Sequence, residues 1–223
     1  MARTLRFSFD FISPYAYLAW ARLHDFAGRH GLALQVEPVL FAALLDAWGH
    51  KGPAEIPPKR LYTFKHVLRL AADHGLPLRA PPAHPFNPLL GLRIAALELP
   101  AAEQRAVVDV LFARVWAAGE AITEPAAVAA ALTNAGLDGA GLVAAAGRDE
   151  TKARLRTLTE SARERGVFGV PTFEIEGELF WGQDSYDHIE RFLRGEDPAR
   201  PELVAQWADL PAQARRKASA PTA

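Results

Sequence analysis

The chain has 223 residues, of which 50% are apolar and 23% charged, so its composition is that of an ordinary globular protein. A net charge of −1 gives no field that would attract nucleic acid or an anionic membrane surface. Because the sequence contains no cysteine, disulfides, thiolate metal sites and a cysteine nucleophile are excluded.

The N-terminal part predicts a strand, a helix and a second strand. Apolar residues alternate with polar or small ones from Leu5 to Phe11, which is typical of a strand. Ser13 can cap a helix and Pro14 suits its first turn, so we expect a helix to begin there. Residues 32–38 alternate again. Because a helix connects the two strands, they should be parallel.

The central part of the chain, residues 40–165, has almost purely helical patterns. Within it, the stretch 76–88 contains five prolines and must be extended, because proline disrupts a helix interior. We therefore expect a large helical block that an extended, partly rigid segment interrupts.

Strand character returns in the C-terminal part. Residues 171–175 and 179–181 predict a hairpin around a glycine-containing turn. Asp184 is a candidate cap for a helix over 186–193. Beyond that helix we expect an edge helix and a frayed tail over residues 201–223.

The two strand-bearing segments should share one sheet, since an isolated hairpin is only marginally stable in water. The prediction is an α/β protein whose four-stranded sheet comes from residues 1–39 and 166–200. The helical block 40–165 is inserted between them, and residues 201–223 lie at the edge.

The junction of the first strand and the first helix is a candidate anion site. The Ser13 hydroxyl and several free backbone N–H groups of the helix start lie together there, which suits a phosphate, a carboxylate or a thiolate. A plain helix cap is the alternative interpretation of Ser13, and on this stretch alone it is the commoner one.

Two motifs resemble one known family. The first is FDFISPYAYL at residues 9–18, which resembles the opening of the glutathione-dependent 2-hydroxychromene-2-carboxylate isomerases and of the related kappa-class glutathione transferases. The second is GVFGVPTF at residues 166–173, followed by FWGQD at 180–184, which is similar to the cis-proline segment and next helix start of the same group. The resemblance covers about residues 4–195 and implies a thioredoxin-like fold with a helical insertion.

The resemblance also implies where the reactive thiol comes from. Disulfide oxidoreductases of this superfamily carry Cys-x-x-Cys where this chain has Ser13-Pro14-Tyr15-Ala16, so bound glutathione would supply the thiol. Ser13 would donate a hydrogen bond to its sulfur, and the positive end of the helix dipole would lie close by. Both favour the thiolate, so Ser13 would be the catalytic activator and not a covalent nucleophile.

Five further residues would bind glutathione on the same resemblance. The Val170–Pro171 bond would be cis, and the main chain of Val170 would pair with the cysteinyl main chain of glutathione. Asp184 would take the ammonium of the γ-glutamyl end, and N–H groups near Ser185 its carboxylate. His50 stands where relatives carry an asparagine that touches glutathione.

The substrate contacts implied are Tyr15, Asn87 and Trp181, although an asparagine before a proline is also an ordinary turn residue. No His-Glu-x-x-His pattern or acidic cluster predicts a metal. His66 and His74 fit a pair of solvated helix residues.

The implied activity is glutathione-dependent isomerisation of an aromatic acid like 2-hydroxychromene-2-carboxylate. The thiolate would add reversibly to a conjugated double bond, the resulting single bond would rotate, and elimination would restore the double bond. Two alternatives stay open: a kappa-like glutathione transferase that conjugates electrophiles, and a glutathione-binding module without catalysis.

We expect a cytoplasmic homodimer. No stretch has the length and hydropathy of a membrane span, and the N-terminal residues lack the apolar run of a signal peptide. One four-stranded sheet has limited surface to cover the apolar residues of the helical block, so a second copy would bury the remainder. These residues are Leu89, Leu90, Leu92, Ile94, Leu97, Val107, Val110, Leu111 and Val115.

Overall fold

Four strands form one mixed sheet in the computed structural model, which describes residues 2–211 and 213. The strands are β1 (Thr4–Phe9), β2 (Ala33–Pro38), β3 (Thr172–Ile175) and β4 (Glu178–Trp181). Their order is β2-β1-β3-β4, with β1 parallel to β2 and antiparallel to β3, and with β3 antiparallel to β4. The parallel pair and the hairpin confirm the predicted fold class.

Helices fill most of the rest of the described chain. They are α1 (Pro14–Arg29), α2 (Phe41–Trp48), α3 (Pro57–Asp73), α4 (Leu89–Ala95), α5 (Ala101–Phe112), α6 (Pro125–Asn134), α7 (Gly139–Ala146), α8 (Asp149–Glu164), α9 (Tyr186–Leu193) and α10 (Pro201–Ala208). A 3₁₀ turn covers Pro53–Glu55, and α5 continues as a π-helical turn over Ala113–Ala117. No helix in the described residues is long and apolar enough to cross a membrane.

The chain divides into two compact units, the first ending at Tyr186 and the second beginning at Asp187. The inserted helices belong to the same unit as the four strands, and the predicted subdivision into domains stays a prediction. The helix predicted after residue 200 is present as α10. The predicted tail lies outside the described residues, apart from residues 211 and 213.

One face of β1 is the centre of the apolar core. Phe7 and Phe9 are fully buried, and their rings stack 5.6 Å apart. The Phe7 ring also lies 5.2 Å from Phe173 on β3 and 5.9 Å from Trp20 on α1. Each such aromatic side chain contributes roughly 1.5–3 kcal/mol through burial, so this cluster holds α1 and β3 against β1.

The other face carries a network of charged residues across three strands. The Ser8 hydroxyl donates to the buried Glu37 carboxylate at 2.7 Å, and Arg165 reaches the same carboxylate at 2.6 Å. Arg165 also pairs with Glu174 at 2.7 Å, as does Arg6. Because Arg165 follows α8 directly, the network attaches the end of α8 to the sheet.

The apolar residues of the helical block are covered within the chain itself. Five of the nine that suggested a second copy are fully buried and the other four are half-buried. The helical block therefore leaves little of this apolar surface for a second copy to bury, and the homodimer stays a prediction.

Replacing Arg165 by Met should destabilise the protein by about 3 kcal/mol, because it leaves the Glu37 carboxylate buried without its main cation. Arg163→Met is the matched control: Arg163 is exposed in the last turn of α8, and its loss should cost less than about 0.5 kcal/mol. Urea unfolding measures both free energies. Equal stabilities of the two variants would contradict the structural role of the network.

Candidate active site

Ser13 caps α1, as its sequence position predicts. Its backbone is extended, and its Oγ accepts a hydrogen bond from the Ala16 N–H at 3.2 Å. The Ser13 N–H donates to the carbonyl oxygen of Asp10 at 3.1 Å. The side chain is almost fully buried, so the hydroxyl is held in one place at the N-terminus of α1.

The cis-proline segment meets Ser13 at this point. The Val170–Pro171 peptide bond is cis, as the resemblance implies. Ser13 Oγ donates to the carbonyl oxygen of Val170 at 3.4 Å, across 157 positions of sequence. Among the described residues the Val170 N–H has no hydrogen-bond partner. The two motifs therefore form one site, and the main chain of Val170 offers it a free donor.

An aromatic pair borders the same segment. The Trp181 side chain is 58% exposed, and its ring lies 5.2 Å from that of Phe168. A Cβ at Gly169 would lie 2.8 Å from Trp181 Nε1, so only glycine lets the indole pack against the backbone here. The flat, exposed indole suits its predicted role of contacting an aromatic substrate.

The turn before α9 contains Asp184 and Ser185. The helix α9 begins at Tyr186, directly after Ser185. No hydrogen bond of the Asp184 side chain is found among the described residues, and its role as a cap stays a prediction. The Asp184 carboxylate lies against Gly182, whose φ of 107° only glycine readily adopts. The Ser185 hydroxyl donates to the Trp181 carbonyl oxygen at 2.9 Å, and the Ser185 N–H donates to the Gly182 carbonyl oxygen at 3.3 Å.

Tyr15 contacts a residue that sequence reasoning missed. Its Oη lies 2.9 Å from Nδ1 of His66 on α3. His66 is thus not one of a solvated pair with His74, whose Nε2 lies 3.4 Å from Arg22. No local signal could have identified His66, since its contact depends on how α1 and α3 pack.

Three side chains hold the loop that precedes Ser13. Asp10 is buried and accepts the N–H groups of Ile12 and Phe41, both at 3.0 Å. His84 Nε2 lies 3.0 Å from the Ile12 carbonyl oxygen, and the Trp116 indole donates to the Phe11 carbonyl oxygen at 2.9 Å. Burial lowers the pKa of His84, so at neutral pH the ring is neutral and its Nε2–H can donate.

The remaining two predicted residues do not join this cluster. The Asn87 side chain accepts the Leu89 N–H at 3.0 Å, which is the local turn role given above as its alternative. His50 is exposed at the end of α2, and no contact of its side chain with the other site residues is found in residues 2–211 and 213. Their assignments to substrate and to glutathione stay predictions.

The sheet order and a cis-proline beside a helix N-terminus define a thioredoxin-type domain. A family model described as the DsbA-like thioredoxin domain matches residues 4–194. A solved structure of a 2-hydroxychromene-2-carboxylate isomerase is similar to this chain, with a TM-score of 0.79 and 28% sequence identity. The similarity covers 94% of this chain and 100% of that one.

Three relatives narrow the assignment. Two are named 2-hydroxychromene-2-carboxylate isomerase. The one from Sphingobium xenophagum is 30% identical over 86% of this chain and 99% of its own length. The one from Pseudomonas putida is 32% identical over 92% of this chain and 97% of its own length. Human glutathione S-transferase kappa 1 is 26% identical over 86% of this chain and 92% of its own length. The chain belongs to the DsbA-like thioredoxin family, in the group of enzymes that contains the 2-hydroxychromene-2-carboxylate isomerases.

Asp10 should make stability depend on pH. Burial raises its pKa from 3.8 to about 7, against the lowering effect of the hydrogen bonds from Ile12 and Phe41. Between these values the folded chain binds a proton that the unfolded chain does not, so its stability falls as the pH rises, with a limiting slope of about 1.4 kcal/mol per pH unit. Asp10→Asn abolishes this contribution.

Urea unfolding at several pH values from 4 to 8 measures the effect. The free energy of unfolding of the native protein should fall relative to that of Asp10→Asn across this range. Asp25→Asn, at an exposed position of α1, is the control and should follow the native profile. Parallel profiles of the native protein and Asp10→Asn would contradict the raised pKa.

Proposed function

We propose that this protein is a glutathione-dependent isomerase of aromatic acids related to 2-hydroxychromene-2-carboxylate. The observation that carries this is the hydrogen bond between Ser13 and the Val170 carbonyl, which brings the helix start and the cis-proline segment together. The isomerase relatives suggest the reaction, and the kappa-class relative suggests glutathione.

The residues of the site fit a peptide with an amino-acid end. The free N–H of Val170 can pair with the main chain of such a ligand, in the manner of an added strand. The Asp184 carboxylate, which makes no ion pair in the described part of the chain, suits an ammonium group. Glutathione has both a peptide main chain and such an end, so these two residues would hold it.

Ser13 would control the protonation of the thiol. Glutathione, when bound, would supply the thiolate that adds reversibly to a conjugated double bond. Because a free cysteine thiol has a pKa of ~8.5, a hydrogen bond from Ser13 Oγ and the dipole of α1 are needed to favour the thiolate at neutral pH. The hydroxyl would give up its bond to Val170, while its lone pair keeps the N–H of Ala16.

Activity should require both glutathione and Ser13. With purified protein and 2-hydroxychromene-2-carboxylate, we expect the isomer to form only when glutathione is present. Ser13→Ala should lower kcat/KM, with a loss of about 2.7–4 kcal/mol of transition-state stabilisation. The free energy of unfolding should fall by only about 1 kcal/mol, which is the cost of losing a helix cap. Absorbance assays and urea unfolding measure the two effects.

Asp138→Ala is the matched control, because Asp138 caps α7 through a comparable 3.0 Å bond to the Gly141 N–H. It should lose similar stability and keep full activity. Turnover that does not depend on glutathione would refute the mechanism, and full activity of Ser13→Ala would leave Ser13 as a cap only.

A kappa-like glutathione transferase is the second candidate, since the human kappa-class relative covers the same 86% of the chain as the Sphingobium xenophagum isomerase does. Activation of the thiol by Ser13 would serve both reactions equally. The product distinguishes them: a stable conjugate without isomer would identify the transferase. Glutathione binding without turnover of any electrophile would identify a binding module.

We also propose that the protein forms a homodimer through the exposed surface of α3. Leu61, Tyr62 and Leu68 are each more than half exposed on this helix, which is unusual for large apolar side chains of one element. A twofold pairing would cover them. Light scattering in dilute solution should give twice the chain mass of 24.3 kDa, and the mass of a single chain would contradict the proposal.

A further inference from the structure

Tyr15, which the resemblance implies to be a substrate contact, forms a hydrogen-bonded pair with His66. Tyr15 Oη lies 2.9 Å from His66 Nδ1, and the ring centroids are 5.7 Å apart. Tyr15 comes from the first turn of α1, and His66 from the middle of α3. Both side chains are half-buried, so the pair borders solvent-accessible space and a ligand can reach it.

This pair lies beside the residues proposed to hold glutathione. Tyr15 follows Ser13 by two positions, and the Asp184 carboxylate is close enough that its charge contributes to a raised pKa of the phenol. Burial is the largest cause of this rise, so at neutral pH Tyr15 keeps its proton and can donate it in a hydrogen bond. Residues two apart do not face each other on a helix, so Tyr15 would serve a different atom from the one that Ser13 serves.

His66 can fix the direction of this donor. With its proton on Nδ1, the imidazole donates to Tyr15 Oη and leaves the phenolic hydrogen for a ligand. Thr63, three residues earlier on α3, partly offsets the rise in the pKa of the same phenol. His66 is the residue of α3 whose hydrogen bond fixes the phenol oxygen.

We propose that Tyr15 binds the oxo oxygen of a conjugated aromatic 2-oxo acid, and that His66 positions Tyr15 for this. The inference rests on the proposed function, because opening the hemiketal ring of 2-hydroxychromene-2-carboxylate gives a phenol and a 2-oxo acid conjugated to the aromatic ring. Tyr15 would be a catalytic residue and His66 a positioning residue.

The chemistry explains why a donor is needed at that oxygen. A nucleophile would form a bond to the carbon of the double bond that lies farther from the oxo group. The π pair of that bond would then move toward the oxo carbon, and negative charge would develop on the oxo oxygen. When the same bond breaks and the nucleophile leaves with its electron pair, the double bond and the oxo group are restored, so no electron or proton is gained overall. A fixed donor stabilises this charge where it develops, which is where such stabilisation lowers a barrier most.

Binding of two unreactive analogues tests the site without glutathione or turnover. The probes are 4-phenyl-2-oxobutanoate and 4-phenylbutanoate, which differ only at the oxo oxygen. The native protein should bind the oxo acid roughly 2–10-fold more tightly, the worth of one net hydrogen bond. Tyr15→Phe should lose this preference and keep its affinity for 4-phenylbutanoate.

Tyr17→Phe is the control for loss of a phenol oxygen, since Tyr17 lies on the same helix but its Oη donates to the Pro77 carbonyl oxygen at 2.8 Å. It should keep the native preference. Equal binding of both analogues by the native protein, or a preference that survives in Tyr15→Phe, would overturn the inference whether or not the protein isomerises anything.

Kinetics distinguish a failure of this inference from a failure of the proposed function. Tyr15→Phe should lower kcat on the order of 10²-fold and raise KM by no more than about 10-fold, while bound glutathione keeps the ultraviolet absorbance of its thiolate. Ser13→Ala should lose that absorbance. No thiolate in the native protein contradicts the proposed function, whereas an intact thiolate and an unchanged kcat in Tyr15→Phe contradict the role of Tyr15.

Variants of His66 test the positioning role. His66→Leu should lower both kcat and the preference for the oxo acid, and His66→Asn, whose amide can stand near the Nδ1 position, should restore part of both. His74→Leu, an exposed position just after α3, should change neither. Native kcat and native preference in His66→Leu would overturn the role of His66.

Discussion

The antiparallel pairing of β1 with β3 is the constraint on which the candidate site depends. It sets Ser8 opposite Thr172, so the chain leaving β1 toward Ser13 runs beside the chain entering β3 from Val170. A slip by one residue would turn every side chain of one strand to the other face. The ring contact between Phe7 and Phe173 opposes such a slip, because the slip would remove one of these two rings from the core.

The two interpretations of Ser13 are compatible in physical terms. A hydroxyl caps a helix with a lone pair and donates with its hydrogen, so the bond from Ala16 does not compete with the bond to Val170. The donated bond is long, at 3.4 Å, and joins two neutral groups. A charged sulfur is the stronger acceptor, so exchanging one for the other costs little.

Local patterns made most of the fold predictable. The alternation of Phe7 and Phe9, the cap at Ser13 and the glycine turn of the hairpin each depend on residues within a few positions, and all appear as expected. The contact of His66 with Tyr15 spans 51 positions and depends on helix packing, which no window of sequence contains. The apolar helical block failed as evidence for a dimer for the same reason: periodicity identifies an apolar face but not what covers it.

The proline-rich segment 76–88 helps to hold the loop that precedes Ser13. Its backbone is not helical and bends at residues 82–85, which brings His84 to the Ile12 carbonyl oxygen. The Trp116 indole donates to the Phe11 carbonyl oxygen, and the Asp10 carboxylate accepts the Ile12 N–H. Separate parts of the chain thus satisfy the polar groups of this short loop before any ligand arrives. The Ser13 hydroxyl hydrogen can exchange its long bond to Val170 for a bond to a ligand at little cost. Because the loop is already held in place, it needs no reorganisation when the ligand binds.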